Sequence, residues 1–172
     1  MLKTKKANKT FTTYDIVSVI IYLLLTVFVA YVSKTISCSL LAISTLTIYS
    51  IFTPIFIYFV NYKSLRNIWI YCIWIVFSIY HFILYLELKH IGCLSLPRGH
   101  SSDGLRFTIV YLLTWQILRI EHYKYTKTEL VAPAYGSGHD FFGERQTRTP
   151  DYIAFVIYLF LYVLINIYNG ME

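Results

Sequence analysis

Ile16–Ser33 reads IVSVIIYLLLTVFVAYVS and contains no charged side chain. A helix rises about 1.5 Å per residue, so roughly 20 mostly apolar residues cross the ~30 Å of hydrocarbon in a bilayer. Three further stretches share this character: Thr35–Tyr62, Asn67–Leu86 and Tyr152–Met171 also lack Asp, Glu, Lys and Arg. In the last of these the apolar part, Tyr152–Tyr168, is at the short end of the spanning range. Over the 172 residues, 57% are hydrophobic and 14% charged. Soluble domains carry about 25% charged residues, and a water-facing surface of ordinary polarity cannot be built from so few. The reading is an all-α integral membrane protein, a single bundle of transmembrane helices filling residues 1–172.

The pattern predicts five spans, at about 14–33, 39–62, 67–88, 106–120 and 150–168. Thr12 with Asp15 three residues on has the form of a capping box. Pro54 predicts a kink in the second span, with Ser50 and Thr53 available to repair the freed backbone groups. Thr149-Pro150-Asp151 supplies an N-cap, a proline at the first helical position and an acid at the positive dipole end of the last span.

The fourth span is the short one. The uncharged core Phe107–Leu118 lies between Arg106 and Arg119, which could extend outward along their stems. Length alone favours an interfacial or re-entrant helix and a four-span bundle. Charge bias favours five. With five spans and a cytoplasmic N-terminus, that side holds Lys3, Lys5, Lys6, Lys9, Lys63, Arg66, Arg119, Lys124, Lys127, Arg145 and Arg148. The other side holds only Lys34, Lys89, Arg98 and Arg106. If Phe107–Ile120 did not cross, basic residues would be in excess outside, against the positive-inside rule. The expected location is a bacterial inner membrane, multi-pass. The basic N-terminus ahead of an apolar run resembles a signal peptide, but the run is long and no small-residue cleavage site follows, so it reads as an anchor. Many of the 17 tyrosines, among them Tyr14, Tyr31, Tyr62, Tyr123, Tyr125, Tyr152 and Tyr168, fall near run ends, where an amphipathic ring suits the interface.

The net charge of +6 reads as topology signal and contact with anionic lipid, not as a nucleic-acid footprint. No internal repeat is visible, which weighs against a transporter built from inverted copies.

Polar residues recur at steps of three and four, which places them on one helix face. The stripes are Ser18, Tyr22 and Thr26; then Ser44, Thr47, Pro54, Tyr58 and Asn61, with Ile51 filling one place; then Asn67, Tyr71, Trp74, Ser78, His81 and Tyr85; and finally Tyr158, Tyr162 and Asn166. In lipid such faces turn toward other helices, and they either bond the bundle together or line a polar cavity. His81 is the one ionisable group deep in a confident span and is the intramembrane candidate, with Ser78 and Tyr85 one turn away as expected partners. No other histidine lies within a span, so no metal or haem site is read, and no cofactor.

The connecting segments carry the other candidates. Pro133–Arg148 combines glycines with Arg145, Arg148 and His139, a plausible site for an anion or lipid head group. Its bland alternative is a solvated connector whose Phe141 and Phe142 dock on the membrane or bundle. His139 with Asp140 or Glu144 could do acid–base work, but no hydrolase or phosphate-loop motif is present. Cys38 and Cys93 both fall on the outer side, where a disulfide is permitted, while Cys72 stays within the membrane.

No catalytic constellation emerges. The expectation is a small non-catalytic accessory, assembly or protective protein, for instance one that binds a membrane-acting toxin. It would act through the bilayer and a membrane-protein partner or a second copy of itself. A transporter or channel component, and a membrane enzyme acting on a lipid at the cytoplasmic face, are the alternatives. Whatever copurifies in mild detergent would discriminate them.

Overall fold

The computed structural model describes residues 11–36, 38–97, 99–134, 138–143 and 145–169. It is all-helical, with five α-helices: α1 (Thr13–Thr35), α2 (Leu40–Ile55), α3 (Ile68–Leu88), α4 (Thr108–Thr126) and α5 (Thr149–Asn169). Among the described residues the only β pairing is isolated, at Ser95 with His100, Pro133 with Asp140 and His139 with Gln146. Four helices are long and apolar enough to cross a membrane: α1, α2 with its continuation to Val60, α3 and α5. Each matches one of the expected long spans, 14–33, 39–62, 67–88 and 150–168, to within two residues, the usual fraying of helix ends.

Local chemistry starts the helices. Thr12 caps α1 through a full capping box: its hydroxyl accepts from Asp15 N at 3.2 Å, and Asp15 Oδ2 accepts from Thr12 N at 2.9 Å. Ser39 Oγ accepts from Ala42 N at 3.1 Å at the start of α2, and Asn67 Oδ1 from Trp69 N at 3.0 Å at the start of α3. Pro54 lacks an N–H, and the helix widens just beyond it into a π-helical turn, Phe56–Val60. The expected repair differs in detail. Ser50 and Thr53 bond back to the carbonyls of Thr47 and Tyr49 instead of to the Ser50 carbonyl that Pro54 frees. The Ser50 carbonyl lies against Gly104, where a Cβ would come within 3.3 Å of it.

The helices alternate in direction. Lys34 pairs with Glu87 at 2.5 Å and Cys38 is bridged to Cys93, so α1, α2 and α3 meet at one end. At the opposite end the Tyr14 hydroxyl donates to the Val60 carbonyl, and Arg66 Nη2 donates to the carbonyl of Leu130, 3.0 Å away. Here α4 finishes and α5 begins, with His122 beside Asp151. The described residues of this end include Lys63, Arg66, Arg119, Lys124, Lys127, Arg145 and Arg148, so we refer to the basic end and the disulfide end.

α4 departs from expectation. It runs Thr108–Thr126 instead of 106–120, and with Arg119, Glu121 and Lys124 in its last turns it is not among the four long apolar helices. These charges do not stop the helix because the following segment supplies partners, Glu129 for Arg119 and Asp151 for His122. Its start is recessed. Thr108 Oγ1 lies 3.0 Å from His81 Nδ1, and His81 is seven residues before the end of α3. At 1.5 Å per residue this is about 10 Å below the disulfide end. The segment after α3 therefore dips into the bundle, and its short 3-10 helix Asp103–Phe107 packs between α2 and α3, with Ser102 and Leu105 buried. α4 has 19 residues against 21 in α3, and the segment before it fills the bundle at the disulfide end.

Candidate functional site

The bundle interior is aromatic around a chain of hydroxyls. Tyr22 has Tyr49, Phe56, Trp74, Phe77 and His81 around it, with ring centres 4.4–5.9 Å away. His81 is 0% exposed. Its ring joins three helices: Nε2 meets the Tyr49 hydroxyl on α2 at 2.7 Å, and Nδ1 meets Thr108 Oγ1 on α4 at 3.0 Å. Thr108 Oγ1 also donates to the Leu105 carbonyl, three residues back. The Tyr49 oxygen continues to Thr26 Oγ1 at 2.6 Å, and Thr26 also bonds the Tyr22 carbonyl on α1. Tyr22 OH meets Thr53 Oγ1 at 2.9 Å, and Ser18 donates to Asn61 Oδ1 at 3.0 Å.

The partners expected for His81 are not the ones it has. Ser78 Oγ turns back to the carbonyl of Ile75 at 2.7 Å, the common outcome for a helical serine. Tyr85 is long enough to reach the disulfide end, where Arg106 Nη1 lies 3.4 Å from its hydroxyl. Residues one turn away on the same helix compete poorly here with hydroxyls projecting from facing helices. The α2 stripe is also shifted. Ser44 and Ile51 are exposed and Thr47 is half-buried, whereas Leu46, Tyr49, Ser50 and Thr53 face inward with Tyr58 and Asn61. A single 3.6-residue rhythm drawn through Pro54 does not survive the extra residue of the π-turn.

A second polar cluster closes the basic end, centred on Asp151, whose side chain is wholly buried. Asp151 Oδ1 accepts from Arg145 Nη2 at 2.7 Å and from Val131 N at 3.3 Å, and Oδ2 accepts from Arg148 N at 2.9 Å. His122 Nε2 stands 3.0 Å from Oδ1 without an aligned hydrogen bond, while its Nδ1 faces the Thr128 carbonyl. Arg145 also holds the Glu129 carbonyl at 2.8 Å. Around this core, Asp140 takes the Tyr62 hydroxyl at 2.5 Å and Arg145 N at 2.8 Å. Arg119 forks onto the Glu129 carboxylate at 2.8 and 3.2 Å. Burial pushes the Glu129 carboxyl up, but Arg119, with Arg66 and His122 nearby, outweighs it and holds the group below its usual range.

The candidate anion residues therefore do not converge on an open site. Arg145 is committed to Asp151 and to backbone, Arg148 contributes its N–H to the same carboxylate with its side chain exposed, and His139 is exposed on the short pairing with Gln146. Phe142 packs edge-on against Tyr14 and beside Tyr62, and Phe141 against Phe59, so this connector docks on the bundle. No family model, curated protein or solved structure matches this chain.

Asp151, Tyr49 and Thr108 are the important side chains that the sequence reading left out of its candidate lists. Asp151 complements the dipole at the start of α5, and an acid there with two arginines just before it and no other charge until Glu172 also suits a clasp. At the disulfide end Cys38 and Cys93 are bonded, with Cα atoms 5.2 Å apart, and Cys72 is a free thiol exposed on α3. Among the described residues no group of three or more His, Cys, Asp or Glu could hold a metal ion.

Proposed function

We propose that this chain is a multi-pass membrane protein of five crossings, with its N-terminus and basic end in the cytoplasm, that acts as a non-catalytic accessory or protective partner of other membrane proteins. Two independent signals support the orientation. Basic residues collect at one end, and the disulfide, which persists only in an oxidising compartment, is at the other.

The observation that carries the partner reading is the nakedness of α5. Only 17% of its apolar window is buried, against 33–39% for the other three long helices. Its inward residues Ala154, Tyr158 and Ile165 hold it to the bundle, with the Tyr158 hydroxyl donating to the Pro54 carbonyl at 2.9 Å. Phe155, Leu161 and Tyr162 pack partly against the bundle, and the remaining surface is open and carries the exposed carboxamide of Asn166, whose amide bonds the Tyr162 carbonyl of its own helix. Helices in lipid associate through close packing and amide or hydroxyl bonds worth about 0.6–2 kcal/mol each. An open helix with an exposed carboxamide suits a neighbouring helix. The hydroxyls of Tyr22, Thr26, Tyr49, Thr53 and Thr108 and the imidazole of His81, by contrast, are engaged inside the bundle.

Purification in mild detergent with native lipid, followed by sizing and mass spectrometry, tests the reading. A stable complex is expected, weakened by Asn166→Leu. A monodisperse monomer carrying no protein partner would refute it. Orientation is tested separately with one cysteine at position 139 in a cysteine-free chain, which an impermeant reagent should not label from outside intact cells.

A further inference from the structure

The disulfide end carries chemistry that a purely structural staple does not need. Cys38 lies in the short turn between α1 and α2 and directly precedes Ser39, the residue that caps α2. Its side chain is exposed, while Cys93, in the 3-10 turn Gly92–Leu94, is half-buried. The surface around Cys38, formed with Thr35, Ile36 and Ser39, is shallow and open, which leaves Cys38 the more accessible of the two cysteines. A thiolate released at position 38 would sit at the positive end of the α2 dipole, where cysteine pKa values fall below the free value of about 8.5. Exposed disulfides with one stabilised thiolate are the exchangeable ones, whereas structural bridges are shielded and resist reduction.

We propose that Cys38–Cys93 is an exchange-competent disulfide that accepts two electrons from a dithiol-bearing protein on the outer side of the membrane. The incoming thiolate attacks Sγ of Cys38, the more accessible cysteine. The Cys38–Cys93 bond breaks, and its electron pair leaves on Cys93, which takes up a proton. The second thiolate of the same dithiol then attacks its partner sulfur in the mixed disulfide. Cys38 departs as the thiolate that the start of α2 stabilises, and is protonated in turn. The dithiol becomes a disulfide and loses two electrons and two protons; Cys38 and Cys93 gain both. One exchange needs no other reactant. This goes beyond the partner reading through α5 and does not depend on it, since the chemistry is measured on the purified chain.

The experiment uses oxidised protein in mild detergent with Cys72→Ser, so that the exposed α3 thiol does not interfere. Millimolar dithiothreitol serves as the dithiol probe, and alkylation followed by mass spectrometry counts thiols while circular dichroism reports the helices. Complete reduction within minutes with unchanged helicity is expected. A bridge that survives until denaturant is added, or that opens only with loss of helix, would overturn the proposal. Two further variants test the assignment of sulfurs: Cys93→Ser leaves Cys38 alone, and Cys38→Ser leaves Cys93. Alkylation of Cys38 should be roughly tenfold faster than that of Cys93 at about pH 7, with its rate midpoint below 8.5. Equal rates with an ordinary midpoint would remove Cys38 as the stabilised leaving group and defeat the mechanism.

Discussion

Arg145 Nη2 stands 2.7 Å from Asp151 Oδ1, and this contact closes the connector between α4 and α5 onto the start of α5. The carboxylate is wholly buried and the guanidinium 22% exposed, so neither charge is well solvated once its partner is lost. Removing one member of a buried pair typically costs about 3–5 kcal/mol. Asp151→Ala should therefore lower thermal stability in detergent sharply. Arg145→Gln should follow it, and Arg148→Gln should not, because Arg148 serves the cluster through its backbone N–H. Comparing the two arginine variants also separates roles. If Arg148→Gln abolishes function with stability intact, an anion contact at the exposed arginine regains its place.

Glu129 gives the basic end a pH dependence of known sign. Its carboxyl is depressed in the fold, chiefly through Arg119, relative to an unfolded value near 4.3. A group with a depressed folded pKa adds stability that is fully present above the unfolded pKa and is lost as pH falls through the folded one. Stability should be level above about pH 5 and decline below about 4.3, and Glu129→Gln should flatten that decline. Thermal unfolding across this range checks it; an unchanged acid limb in the variant would show that other carboxylates govern the loss.

His81 ties α3 to α2 and α4 with two hydrogen bonds inside the bundle. His81→Leu removes both, each about 1 kcal/mol by the usual net value, and leaves the Tyr49 hydroxyl to Thr26 and Thr108 to the Leu105 carbonyl. A loss of about 1–3 kcal/mol is expected, against little change for Ile79→Leu on the exposed face of the same helix. Equal unfolding of the two variants would mean that the network contributes nothing.

The Tyr58 hydroxyl is the opposite case. The residue is 1% exposed, and its oxygen has no hydrogen-bond partner among the described residues. Burying such a group costs about 1–3 kcal/mol. Tyr58→Phe should leave stability unchanged or raise it. Destabilisation would reveal a partner for that oxygen, such as a bound water.

What could be read in advance follows from how far each signal reaches. The four long helices were legible because a charge-free run of 18 or more residues has few fates. Faces were legible on α1 and α3, where Tyr22, Trp74 and His81 keep an unbroken helical rhythm, and failed on α2, where Pro54 and the π-turn break it. The existence of α4 was legible but not its extent, because Arg119 looks like an end until Glu129 is brought beside it. Partners of His81 were not legible, since Tyr49 and Thr108 lie 32 and 27 residues away and only packing brings them together.

Gly104 explains why the chain can dip into the bundle before α4. It is pressed against α2: a Cβ at this position would lie 2.9 Å from Ser50 Cβ and 3.1 Å from Ser50 Oγ. Ser50 Cβ is fixed to the backbone of α2 and cannot swing aside, so the helix or the 3-10 segment must move. That movement would not be local. Leu105, buried on the next residue, and Thr108, which holds His81, sit on the same short segment. Gly104→Val should therefore cost about 1–3 kcal/mol through overpacking, and more than Gly92→Val in the preceding turn, where a Cβ meets nothing within 4 Å. Shortening the opposing side chain gives the rescue. With Ser50→Gly the obstructing Cβ is gone, so Gly104→Ala on that background should cost less than Gly104→Ala alone, although the glycine itself weakens α2 by about 1 kcal/mol. A double-mutant cycle read by thermal unfolding in detergent measures that coupling. Strict additivity would mean that residues 50 and 104 do not touch, and that α4 begins at a different depth.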